Sequence, residues 1–174
     1  MKKIYYLGLT VLTLLIFSCS EKKEKGFVTT FKGSIDGGDW VNINTIDYYG
    51  GNTGDCCSKV DSADQYSFGF CKLVSEISPN PIKKVEVSVY VKLADLVKKS
   101  VLVVSVIDKN NKNIFWEGRD LNPAVKEINK WYKFSTEVGL PDFENDGSKI
   151  SIYVWNPNRN VTFVDDYEIR FLDK

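Results

Sequence analysis

Strict alternation of apolar and polar residues marks two stretches of the chain. Between Ile82 and Leu93, Val85, Val87, Val89, Val91 and Leu93 fall on one face and Glu86, Ser88, Tyr90 and Lys92 on the other. That pattern predicts a strand with one buried and one wet face, as in an antiparallel sheet. From Ser148 to Phe171, Ile150, Ile152 and Val154 alternate with Ser151, Tyr153 and Trp155. Asn156 to Asn160 interrupts the pattern, and alternation resumes through Val161, Phe163, Asp165, Tyr167, Ile169 and Phe171. This predicts a β-hairpin with one buried face. In that register Asp165 points inward, where a carboxylate loses its hydration unless a cation or several hydrogen-bond donors replace it.

Other segments repeat the theme at shorter length. Val101 to Ile107 is more continuously apolar and suits the centre of a sheet, with Asp108 to Asn111 turning it toward Asn113 to Glu117. Phe27 to Phe31 and Trp131 to Val138 read as further strands, Leu140-Pro141 as a break, and Trp40 as an anchor in the core. Asn42 to Thr53 reads as a loop with one short strand, and Pro123 to Ile128 as a brief helix. Cys57 to Asp61 and Tyr66 to Leu73, joined by Ser62 to Gln65, predict a hairpin with Val60, Phe68 and Phe70 inward. Roughly eight to ten short strands without a long helix indicate an all-β protein, a two-sheet antiparallel sandwich, with residues 27–174 as one domain.

Composition narrows the function classes. The chain has 174 residues, 43% of them hydrophobic, enough for one sizeable core. Its formal net charge is zero and no basic stretch is interleaved with aromatics, so no nucleic-acid partner is expected. Histidine is absent, which removes Ser-His and Cys-His nucleophile pairs and His-ligated metals.

The amino terminus reads as a sorting signal: Lys2 and Lys3, then an apolar run from Ile4 to Phe17 ending at Ser18-Cys19. Ile16-Phe17-Ser18-Cys19 resembles the lipobox of bacterial lipoproteins, which implies removal of residues 1–18, acylation (palmitate) of Cys19 and a membrane anchor through lipid. Residues 19–26 would form a charged tether. Ser20 to Lys25 is similar to the segment that sends Bacteroidetes lipoproteins to the outer face of the outer membrane.

Three further segments carry a resemblance to galactose-binding-like jelly rolls, closest to carbohydrate-binding modules of the family 4, 9 and 22 type. They are Thr53 to Asp61 (TGDCCSKVD), Trp131 to Ser135 followed by Leu140-Pro141, and Val161 to Ile169 (VTFVDDYEI). Thr53 and Cys56 stand where that family usually has Ser and Tyr, and no Phe-Glu pair precedes Trp40. The resemblance implies a structural Ca2+ with Asp165 as the metal ligand and the backbone of Gly54 to Ser58 as its partner. Calcium takes six to eight oxygens, which an inward carboxylate beside free carbonyls would supply. The other reading of Asp165 is a cap on backbone N–H groups.

Tyr153 and Trp155, two residues apart on one strand, point the same way, while Tyr90 and Trp116 lie on the solvent faces of other strands. Such rings stack on sugar CH faces, with Asn156, Arg119 or Glu117 as hydrogen-bond partners for hydroxyls. The competing reading packs these rings under loops or against the second sheet. Cys57 or Cys56 lies across the predicted hairpin from Cys71, and with Val60, Phe68 and Phe70 inward Cys57 and Cys71 share the outward face, which would allow a cross-strand disulfide in an oxidising envelope; the competing reading leaves all three thiols free. Asp61-Ser62-Ala63 resembles the O-glycosylation tripeptide of Bacteroidetes, with Ser62 as acceptor. Together these features predict a lipid-anchored, non-catalytic module for glycan or another cell-surface ligand. The alternatives are a glycoside hydrolase or lyase, and a structural subunit of an envelope protein complex.

Overall fold

The computed structural model describes residues 26, 29–33, 42–48 and 50–173. The sorting signal, Cys19, the tether and Trp40 lie outside them. Ten strands follow in order: β1 (Thr29–Gly33), β2 (Ile46–Asp47), β3 (Cys57–Val60), β4 (Phe70–Leu73), β5 (Lys84–Leu93), β6 (Val101–Ile107), β7 (Asn113–Asp120), β8 (Tyr132–Gly139), β9 (Lys149–Trp155) and β10 (Thr162–Leu172). One turn of helix, α1 (Val74–Ile77), follows β4, and Asn122–Ala124 forms a 3-10 turn where the brief helix is predicted. All pairings are antiparallel. The first sheet runs β2-β3-β10-β5-β8, and β1 shares with β3 the edge of β10 that β5 does not use; the second runs β4-β9-β6-β7. This is the two-sheet sandwich that the alternation predicts, in jelly-roll form.

The strand β5 behaves as its sequence demands: Val85, Val87, Val89, Val91 and Leu93 are buried and the intervening residues partly exposed. The strand β6 sits inside the second sheet and forms a hairpin with β7. Between the sheets, Phe70 packs on Phe171 and Phe31 at ring-centroid distances of 5.5 and 4.9 Å, with Ile150, Ile152, Val154 and Ile169 buried around them.

Two predicted hairpins are not hairpins. The strand β9 pairs with β4 and β6 in the second sheet, whereas β10 pairs with β1, β3 and β5 in the first, so residues 156–161 cross between sheets. The crossing is held by side chains. Asn156 accepts from the Asn160 backbone N–H at 2.7 Å and donates to the carbonyls of Asn160 and Asp61, and Asn160 donates to the carbonyls of Asp95 and Lys98 at 2.8 and 3.0 Å. Likewise β3 lies in the first sheet and β4 in the second. A sandwich buries both strands of such an arch as well as it buries a hairpin, because each presents an apolar face inward from its own sheet.

Candidate functional site

The outer face of the second sheet carries a row of rings. On β9, Ile150, Ile152 and Val154 are buried, which turns Tyr153 and Trp155 outward. Across β6, Val103 stands opposite both Tyr153 and Gly118, and Ser105 opposite Trp116, so Trp116 of β7 shares the face. The Trp116 and Trp155 rings meet edge to face at 6.1 Å and 82°. A Cβ on Gly118 would lie 2.7 Å from Trp116 Cη2 and 2.8 Å from Val101 Cγ1; glycine there lets the indole lie back over its own strand.

Tyr66, which sequence reasoning left out, joins the row through an isolated antiparallel bridge to Trp155, its ring 5.8 Å from that of Tyr153. The close approach depends on Gly69, where a Cβ would come within 2.5 Å of the Ile152 carbonyl oxygen. Tyr66 and Trp116 are 53% and 47% exposed, so the row offers ring surface at both ends. Tyr153 and Trp155 are half-buried between them, and burial pushes the Tyr153 hydroxyl's pKa up against hydrogen bonding to Trp116 and Ser105.

The other predicted ligand contacts do not join this surface. Tyr90 points out of the first sheet, on the opposite side of the sandwich, because its strand neighbours Val89 and Val91 face the core. Arg119 stands opposite buried Leu102, on the other side of β7 from Trp116, and is ion-paired to Glu117. Asn156 is fully buried in the sheet crossing, with its amide engaged there.

Asp165 is buried, though not between the sheets. Thr162 and Val164 face the core, then a bulge between Asp165 and Glu168 shifts the register against β5, and Tyr167, Ile169 and Phe171 face the core again. Val161 and Phe163 are therefore outward, correcting the predicted parity. Asp166 adopts φ 49°, a left-handed conformation that Asp tolerates better than most residues. The bulge aims Asp165 under the loop Gly50–Cys56. Its Oδ2 accepts from the backbone N–H of Asn52 at 2.7 Å and of Thr53 at 3.2 Å, and its Oδ1 from that of Asp166 at 2.8 Å. The carboxylate thus caps backbone N–H groups, and burial still raises its pKa.

The same loop brings oxygens together. A Cβ on Gly51 would lie 2.4 Å from the Cys56 carbonyl oxygen, 2.5 Å from that of Thr53 and 2.7 Å from Asp165 Oδ2. Two carbonyl oxygens and Asp165 Oδ2 make three of the six to eight oxygens that a Ca2+ takes. No cluster of three or more His, Cys, Asp or Glu suited to a metal occurs among the described residues, so carbonyls would have to complete such a site.

Cys57 and Cys71 are free thiols on strands of different sheets, Cys57 buried and Cys71 part-exposed, which corrects the predicted disulfide. Sheets stack about 10 Å apart, beyond the roughly 7 Å Cα separation a disulfide bridges. Cys57 is buried beside Asp165, and burial first, then the charge of Asp47, pushes its pKa up to about 11. Cys71 opposes Ser151 on the second sheet, whose hydroxyl lies 3.3 Å from its Sγ. Ser62 lies exposed on the turn that Asp61 caps through the Ala63 N–H. Among the described residues no helix is long and apolar enough to cross a membrane.

No family model matches the chain, and no curated protein matches it. Solved structures do. The CBM22-1 xylan-binding domain of Xyn10C from Paenibacillus barcinonensis superposes with a TM-score of 0.54 at 15% identity, over 86% of this chain and 98% of that one. The CBM22-2 xylan-binding domain of the same protein gives 0.55 at 17% identity over 81% and 98%. The CBM22-1 and GH10 modules of Clostridium thermocellum Xyn10B, complexed with xylohexaose, give 0.53 at 17% identity over 84% of this chain and 28% of that one. At such identities the likeness is one of fold: the jelly-roll sandwich of carbohydrate-binding modules.

Proposed function

We propose that this protein is a non-catalytic carbohydrate-binding module, held in the cell envelope by a lipid on Cys19, whose sugar ligand stacks on the row Tyr66, Tyr153, Trp155 and Trp116. The observation that carries the reading is the continuity of those four rings across a sheet face with both ends exposed. The rings are tilted against one another, so each exposed ring face, Tyr66 at one end and Trp116 at the other, can take the CH face of one pyranose, and the row offers no paired carboxylates for bond cleavage. A structural Ca2+ held by Asp165 and the carbonyls of Thr53 and Cys56 belongs to the same reading; it would fix the loop Gly50–Cys56 rather than take part in binding.

Affinity electrophoresis against a panel of plant and bacterial polysaccharides, followed by calorimetry on the best ligand, tests the proposal. Trp116→Ala is expected to weaken binding by about 1–3 kcal/mol, the loss of a hot-spot aromatic contact, with secondary structure retained because Trp116 is 47% exposed. Unchanged affinity in that variant would remove the ring row from the binding site. For the anchor, Cys19→Ala should abolish acyl labelling and move the protein from membrane to soluble fractions; persistence in the membrane would refute it.

A further inference from the structure

The outer face of the first sheet carries a groove that the ring row does not use. Two adjoining cavities of about 410 and 440 Å³ meet at Ser88, Lys133 and Glu168. Their floor is made of cross-strand rows: Lys32, Glu168, Ser88 and Ser135 in one, Arg170, Glu86 and Glu137 in the next. One wall is the Asn52–Thr53 segment, fixed on the bulge by Asp165 and Asp166.

The carboxylates in this groove all have partners, three of them cations and the fourth a pair of neutral donors. Glu168 pairs with Lys32 at 3.6 Å, Glu86 with Arg170 at 2.9 Å and Glu137 with Lys84 at 2.7 Å. Both oxygens of Asp166 accept from the wall, Oδ1 from Thr53 Oγ1 at 2.7 Å and Oδ2 from Asn52 Nδ2 at 2.8 Å. Lys133 differs. It borders both cavities, stands directly opposite Tyr90 on β5, and its ammonium makes no ion pair or side-chain hydrogen bond among the described residues.

An ammonium group with no ion-pair partner, beside a phenol ring and serine hydroxyls, has the chemistry to recognise a carboxylate on a hydroxylated ring. We propose that this groove is a second glycan site, separate from the ring row and selective for a uronate unit of an acidic polysaccharide. Lys133 meets the carboxylate, Tyr90 the sugar ring, and Ser88 and Ser135 its hydroxyls. The proposal rests on the reading of the protein as a carbohydrate-binding module.

The test is calorimetry at low salt with a xylo-oligosaccharide bearing glucuronic acid and with the same oligosaccharide after reduction of its carboxyl group to the alcohol. Carboxyl reduction is expected to weaken binding to the wild-type protein about 2- to 5-fold, the scale of one solvent-exposed ion pair. Lys133→Gln should remove that preference while leaving the reduced probe's affinity unchanged, and added NaCl should erode it. In Trp116→Ala the preference for the uronate should persist. Equal affinity for the two probes, an unaltered preference in Lys133→Gln, its loss in Trp116→Ala, or no binding of the uronate probe would each overturn the groove site. Retention of a neutral glycan through Trp116 would leave the ring-row reading standing in every one of those cases.

Discussion

Asp165→Asn tests the organisation of the loop that the last strand supports. The aspartate accepts three backbone N–H groups, two on Oδ2 and one on Oδ1. An asparagine of the same shape keeps one acceptor oxygen and turns an NH2 group toward either one donor or two. Each lost hydrogen bond to a charged acceptor costs about 1.5–3 kcal/mol, set against the relief of no longer burying a charge. A net loss of about 1–3 kcal/mol is expected, which for a domain near 150 residues lowers Tm by about 2–4 °C per kcal/mol. Calcium sharpens the test. If the ion binds the folded state alone, a hundredfold excess over its Kd adds about 2.7 kcal/mol to the wild type and nothing to Asp165→Asn.

The pH dependence of the same pair has a definite sign. Because burial raises the folded-state pKa of Asp165 above its ordinary value, the folded protein holds that proton more tightly than the unfolded chain. Its contribution to stability is fully present below the ordinary aspartate range and is lost as pH rises through the raised value. Scanning calorimetry from pH 7 down toward about 4, without calcium, should therefore show the wild type gaining on Asp165→Asn. Melting curves that coincide at every pH, with and without calcium, would refute both the cap and the ion.

Gly51→Ala should destabilise by about 1–3 kcal/mol, because its Cβ would meet two backbone oxygens at 2.4 and 2.5 Å that cannot rotate away; chemical denaturation measures it, and a neutral substitution would mean that the loop sits farther from the bulge. Cys57 should resist alkylation in the native protein at neutral pH, since it is 1% exposed and its pKa is pushed up to about 11. Mass spectrometry after non-reducing digestion should find no Cys57–Cys71 link; a linked peptide would contradict the placement of β3 and β4 in different sheets.

How far the sequence could be read depended on the range of the interaction being inferred. Alternation in β5 and the β6–β7 hairpin was legible because side-chain direction is set within one strand and a short turn. Which strand pairs with which is a different matter: a short polar connection serves a hairpin and a sheet-to-sheet arch equally, and both bury the same apolar faces. The buried Asn156 and Asn160 are the local trace of the crossing, since a solvent-exposed hairpin turn has no need of asparagines that satisfy backbone groups internally. The bulge hid in the parity count. Inserting one residue at Asp165-Asp166 puts Thr162 and Val164 inward while leaving Tyr167, Ile169 and Phe171 where an unbroken strand would also place them. The only sign of it in the sequence is the Asp-Asp pair, whose second member takes positive φ.

The same limit governed the site. Tyr153 and Trp155 could be paired from spacing alone, whereas Trp116 and Tyr90 could be sorted only once the strands were assigned to sheets, and Tyr66 reaches the row through a single bridge that no periodicity announces. The sorting has a thermodynamic consequence. The ring row and the groove lie on opposite outer faces of a sandwich whose layers are about 10 Å apart, so Trp116 and Lys133 share no partner. Distant sites of this kind add to within about 0.3–0.5 kcal/mol. The double variant Trp116→Ala, Lys133→Gln should therefore lose the sum of the two single losses in folding stability, measured by unfolding in denaturant. A coupling energy above about 1 kcal/mol would mean that the two faces communicate through the core strands β9 and β10, and the picture of two independent surfaces on one rigid sandwich would have to be abandoned.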